Sequence, residues 1–116
     1  MKITLLVGVV SVVVALQFTP KSAQAYGCPE AIGAAQEAID KVKGDMGSDM
    51  SKQMPKEQMA QVHMLLDDAK MLLAGAQHNH EKPQGGLDHA RAIAKAKSAL
   101  GYASAADILH FAMMEQ

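Results

Sequence analysis

Beyond residue 28, apolar side chains recur at intervals of three and four and do not alternate. Ile32, Ala35, Ile39, Val42 and Met46 follow this spacing and define one face of a helix that opens at Pro29. Residues 44–54 interrupt it with Gly44, Gly47 and a run of polar side chains. A second helix begins at Pro55. Its stripe is Met59, Val62, Leu66, Ala69, Leu73 and Ala76, with Leu65 and Leu72 alongside, and Glu57 suits the positive end of its dipole. A polar break follows at 77–89. From about Gly86 a third helix is predicted to turn Leu87, Ala90, Ile93, Ala94 and Leu100 inward. A bend is expected at Gly101 and Tyr102. A fourth helix then has Ser104 as N-cap, Asp107 in its first turn, and Ala105, Ile108, Leu109, Ala112 and Met113 inward. Val is scarce and Thr absent after residue 25, while Ala is abundant. The expectation is all-α: a small up-and-down bundle of three to four antiparallel helices.

The first 25 residues break this pattern. Lys2 precedes an apolar run over residues 3–18, Pro20 ends it, and Ala23 and Ala25 place small residues at the −3 and −1 positions of a cleavage site. This is the layout of a secretory signal peptide cut after Ala25. A retained anchor is the alternative, but the run is near the lower limit of about 17 residues for a span. The lipoprotein pattern fits Gly27 before Cys28 and fits Ala25 and Tyr26 poorly. The reading is a single domain over 26–116, periplasmic or secreted, with no membrane attachment after cleavage.

Charge narrows the partners. Two of the 11 basic residues, Lys2 and Lys21, lie in the leader, so beyond it 12 acidic side chains face nine basic ones, a net −3. No basic stripe is present, which argues against a nucleic-acid partner. The core has few aromatics beyond the leader, namely Tyr26, Tyr102 and Phe111, so it is built from Ala, Leu, Ile and Met and is expected to be of modest stability. No nucleophile elbow, phosphate-cradling glycine loop or zincin motif occurs, and an enzyme is not expected. The lone Cys28 has no partner for an intrachain disulfide; lipid, a second chain, a metal or no role at all stay open.

The chemistry concentrates in the polar break. Residues 77–89 hold three of the five histidines, His78, His80 and His89, with Glu81 and Asp88. A hairpin turn brings the end of one helix beside the start of the next, and neutral imidazoles suit Cu(II), Zn or Ni. The bland alternative is a solvated turn. His63 and Asp67 stand at i and i+4 and form either a second metal clip or an ordinary surface pair. His110, at the edge of the last stripe, is a packing histidine or a ligand. Met46, Met50 and Met54 recur every four residues, and thioethers choose Cu(I); as core filler they would need no metal. Noncovalent haem between a Met and His110 is a weaker option.

Residues 64–116 carry a resemblance. Leu65-Leu66-Asp67-Asp68-Ala69-Lys70 is followed by a turn bearing Gly and His, then Gly86-Leu87-Asp88-His89, then Gly101-Tyr102-Ala103 with Ala106. This order is similar to that of the small metal-binding proteins of the bacterial periplasm, which are exported, histidine-rich four-helix bundles. The resemblance implies binding of copper or another divalent ion. That family repeats histidine along every helix, where this chain mostly has Ala, Lys, Leu or Asp. The carry-over is therefore limited to His78, His80, His89 and His110. Together the expected ligands are His78, His80, His89, His110 and Met50. The expected cofactor is Cu, with Zn or Ni as alternatives, and the expected role is metal buffering or resistance. The rival is a helical interaction module that binds another protein through its Met and Leu faces.

Overall fold

The computed structural model describes residues 27–114, so the leader and its cleavage site at Ala25 lie outside the described residues. Within them the chain is all-α. Helix α1 spans Cys28–Met46, a short 3-10 turn spans Ser51–Gln53, α2 spans Lys56–Glu81 and α3 spans Gly86–Met114. No strand occurs among the described residues, and no helix there is long and apolar enough to cross a membrane.

The ends follow from local chemistry. Gly27 takes the left-handed conformation, φ 67°, and its carbonyl accepts the Ala31 N–H at 3.1 Å to open α1. Pro29 sits in the first turn, where a missing N–H costs nothing, and Glu30 and Lys43 suit the two ends of the dipole. Pro55 immediately precedes α2, in extended conformation. The α2–α3 turn is short, and the Gln84 N–H donates to the Asp88 carboxylate at 2.8 Å, tying the turn to the start of α3.

The first two stripes are inward as expected: Ala35, Ile39 and Val42 from α1, and Val62, Leu66, Ala69, Leu73 and Ala76 from α2 are buried. The last part of the chain differs in two ways. The expected third and fourth helices are one unbroken helix of 29 residues, with no bend at Gly101 and no cap at Ser104. Its inward row is also not the expected one. His89, Ala92, Ala96, Ala99, Ala103, Ala106 and His110 face the other helices, in strict alternation of three and four. Leu87 is 64% exposed and Ile108 69%, while Ile93, Leu100 and Leu109 are half-buried. The cause is close approach. Helix α3 packs against both α1 and α2, and methyl side chains let two neighbours come near the same face, where Leu or Ile would hold them apart.

The arrangement is up-down-up. Cys28, first in α1, lies beside His89 near the start of α3. Lys41, late in α1, pairs with Asp107, late in α3, at 2.9 Å. Helix α1 therefore runs with α3 and against α2. Between α2 and α3, the Lys95 ammonium donates to Asn79 Oδ1 at 2.6 Å, and its stem crosses α2 over Gly75. A Cβ at Gly75 would come within 3.2 Å of Lys95 Cδ, so the absent side chain makes room for that stem.

Candidate metal centre

The up-down-up course brings three helix ends to one place: the start of α1, the end of α2 and the start of α3. Each contributes one donor. Cys28 is the first residue of α1, His80 lies in the last turn of α2, and His89 is the fourth residue of α3. One ligand atom from each can be chosen so that all lie within 4.8 Å of one another, and the group could hold a metal ion.

Cys28 and His89 are in direct contact. The sulfur lies 3.8 Å from His89 Nδ1, and the thiol donates to the His89 carbonyl at 3.4 Å. Two donors on one ion, with metal–sulfur and metal–nitrogen bonds of about 2.3 and 2.1 Å, stand roughly 3.6–3.8 Å apart. This pair is therefore already at ligand spacing. His80 meets His89 edge-on, with ring centroids 6.1 Å apart and planes at 66°. Small rotations of these rings would close the remaining distance.

Burial adds a second indication. Cys28 has no exposed surface and His89 is 8% exposed. His80 is half-buried, and its Nδ1 is buried without a hydrogen-bond partner. If that nitrogen carries its lone pair, an ion would supply the partner it lacks. Burial pushes the Cys28 thiol above its ordinary value, partly offset by a hydrogen bond from its own backbone N–H. The thiol is thus held protonated until something cationic displaces the proton.

The other expected ligands lie elsewhere. His78 is exposed on the outer side of α2 and is not one of the three converging donors. His110 is 21 residues beyond His89 on the same helix, or ~32 Å away along its axis. There it is buried, with Nε2 2.7 Å from Ser51 Oγ. Met50 is 64% exposed on the connection near that far end. His63 is exposed and opens onto a groove lined also by Lys43, Met46, Leu66 and Lys70, and its expected companion Asp67 lies 3.5 Å from Lys70. Two lysines make that groove a poor place for a cation.

Sequence spacing alone found His80 and His89 and left Cys28 unassigned. Cys28 lies 61 positions from His89. What places it there is the parallel course of α1 and α3, which no local pattern states. The signal that was present is Gly27-Cys28-Pro29, a cysteine at a helix start beside a residue free to turn left-handed. No family model, no curated protein and no solved structure matches the chain.

Proposed function

We propose that this chain is a small exported metal-binding protein, with copper as its favoured metal and Zn or Ni as alternatives, acting in metal buffering or resistance. One observation carries the reading: a thiol and two imidazoles, drawn from three helices, converge to within 4.8 Å of one another, and one of those imidazoles has a buried nitrogen with no partner. A sulfur donor with two imidazoles is a soft-to-borderline set that suits copper and zinc better than Mg or Ca. The order of features shared with the periplasmic small metal-binding proteins supports the same reading. The export half rests on the leader-like residues 1–25.

The site also has a structural role under this reading. It joins all three helices at one end of a bundle with a thin core, so an ion there stabilises the fold by its own binding. At a free concentration 1,000 times Kd that contribution is about 4 kcal/mol. The test is titration of the purified protein with copper and with zinc, followed by calorimetry and thermal melting together. One ion per chain with a raised Tm is expected, and Cys28→Ser and His89→Ala should each abolish the shift. Absence of both heat and a Tm change would overturn the reading. It would turn attention to the rival interaction module, for which Met64 and Met71, 67% and 73% exposed on the outside of α2, are the features in favour.

A further inference from the structure

The charge surrounding the three donors bears on which oxidation state they accept, an inference that rests on the metal-binding reading above. None of the donors is a carboxylate. With Cys28 as thiolate and two neutral imidazoles, the ligand set carries a single negative charge. A monovalent ion makes the filled site neutral, and a divalent ion leaves it at +1.

That remaining charge is unfavourable here for several reasons. Cys28 and His89 are buried, and a net charge away from water needs a counter-charge. The neighbouring carboxylates are directed elsewhere. Asp88 accepts the Gln84 N–H and pairs with Arg91 at 3.5 Å, while Glu30 and Glu81 are exposed. Cys28 and His89 lie in the first turns of α1 and α3, whose dipoles present their positive ends, against one negative end from α2. Lys95 then places its ammonium on Asn79, the residue before His80. Coordination number points the same way. Three protein donors complete a trigonal site, whereas Zn(II) takes four ligands and would need one from outside the group. Thiolate is a soft donor that suits Cu(I), as it also suits Zn(II), so charge and coordination number carry the distinction.

We infer that the Cys28–His80–His89 site is built for monovalent copper, with the Lys95 ammonium acting as a charge filter against divalent ions.

The experiment separates this from the broader reading. The purified protein is titrated without oxygen with Cu(I) held by bathocuproine disulfonate, and separately with Zn(II) against a chromophoric zinc chelator. Each titration is repeated with Lys95→Gln, which keeps a donor for Asn79 and loses the charge, and with Lys95→Arg, which keeps both. One Cu(I) per chain is expected, with X-ray absorption showing one sulfur and two nitrogens. Lys95→Gln should tighten Zn(II) by up to about tenfold, as removal of a unit charge bonded to the residue beside a ligand implies. It should move Cu(I) less than about threefold, because the Cu(I) site is neutral, and Lys95→Arg should move neither. An equal response of both metals to Lys95→Gln, or a Cu(I) site with four protein ligands, would overturn the monovalent assignment and leave metal binding intact. Failure of the unmodified protein to take up either ion would remove the metal reading itself.

Discussion

Ser51 Oγ stands 2.6 Å from the Asp45 carbonyl and 2.7 Å from His110 Nε2. A carbonyl only accepts, so the Ser51 hydroxyl donates to it and receives the Nε2–H of His110. That fixes the His110 tautomer and leaves its Nδ1 as a buried lone pair without a partner. The bond ties the α1–α2 connection to the last turns of α3, with Ser51 and His110 both almost wholly buried. It is a structural dyad: the serine proton points away from the imidazole, the reverse of a nucleophile–base pair.

Ser51→Ala should therefore cost about 1–3 kcal/mol of unfolding free energy, because it strands the Nε2–H away from water. Combining it with His110→Leu removes both polar groups, and the double variant should be less destabilised than the sum of the two single ones. Urea denaturation of the four proteins measures this. Strict additivity would mean that the two residues do not act together.

The alanine row gives a contrast between two faces of one helix. Ala99 and Ala103 are fully buried, so Ala99→Leu should push α3 away from its neighbours and cost about 1–3 kcal/mol or more. Ala94 and Ala105 are exposed, and Ala105→Leu should change stability by no more than about 0.5 kcal/mol. Thermal melts of the two variants check which face is inward. Equal effects would contradict the observed packing.

Those two faces also show what the sequence discloses. The stripes of α1 and α2 were legible because Ile, Val and Leu lie on one side only. In α3 both sides are apolar, and hydrophobicity favours the wrong one: Leu87 and Ile108 outrank Ala96 and Ala103 on any transfer scale. Packing favours the smaller row because α3 has two neighbours to accommodate, and that is a property of the assembled bundle. Gly101 suggested a break, yet a single glycine costs only about 1 kcal/mol in a helix, which tertiary packing overrides. Of the site, His80 and His89 were visible as a turn cluster, since a hairpin is local. Cys28 was not, because its position depends on the direction of α1 relative to α3.

A third prediction concerns alkaline pH. Asp107 and then Asp45 raise the Lys41 ammonium above its ordinary 10.5, by hydrogen bonds that outweigh its desolvation. Its charged form is thus favoured by folding. The contribution is complete below pH 10.5 and fades as pH climbs through the raised folded value. The Tm difference between the unmodified protein and Lys41→Met should hold steady through neutral pH and shrink above 10.5. Lys41→Arg, which does not titrate there, should retain it. More than half of the Lys41 side chain is exposed, so salt should diminish the same difference.

The last prediction separates the turn histidines. His78 and His80 are two positions apart, but only His80 joins Cys28 and His89. If the chain binds copper as proposed, His80→Ala should weaken that binding by at least ~10–100-fold, the range already seen when mere outer partners of a ligand are removed. His78→Ala should change it less than about twofold, within the scatter expected of an exposed residue outside the site. Competition titration with a chromophoric chelator reads both. Equal losses would show that His78 swings into the site when the ion arrives.

The row of methyl groups along α3 has a mechanical consequence. Helices α2 and α3 pack through that row, and two of the candidate donors, His80 and His89, sit at the end where these helices join. The pair behaves like a set of calipers. A small splay introduced near Ala99 is carried along rigid arms to the far end, where it becomes a gap between two imidazoles. Under the metal-binding reading, each methyl group along the row would then set the aperture open to an ion as well as the stability of the bundle.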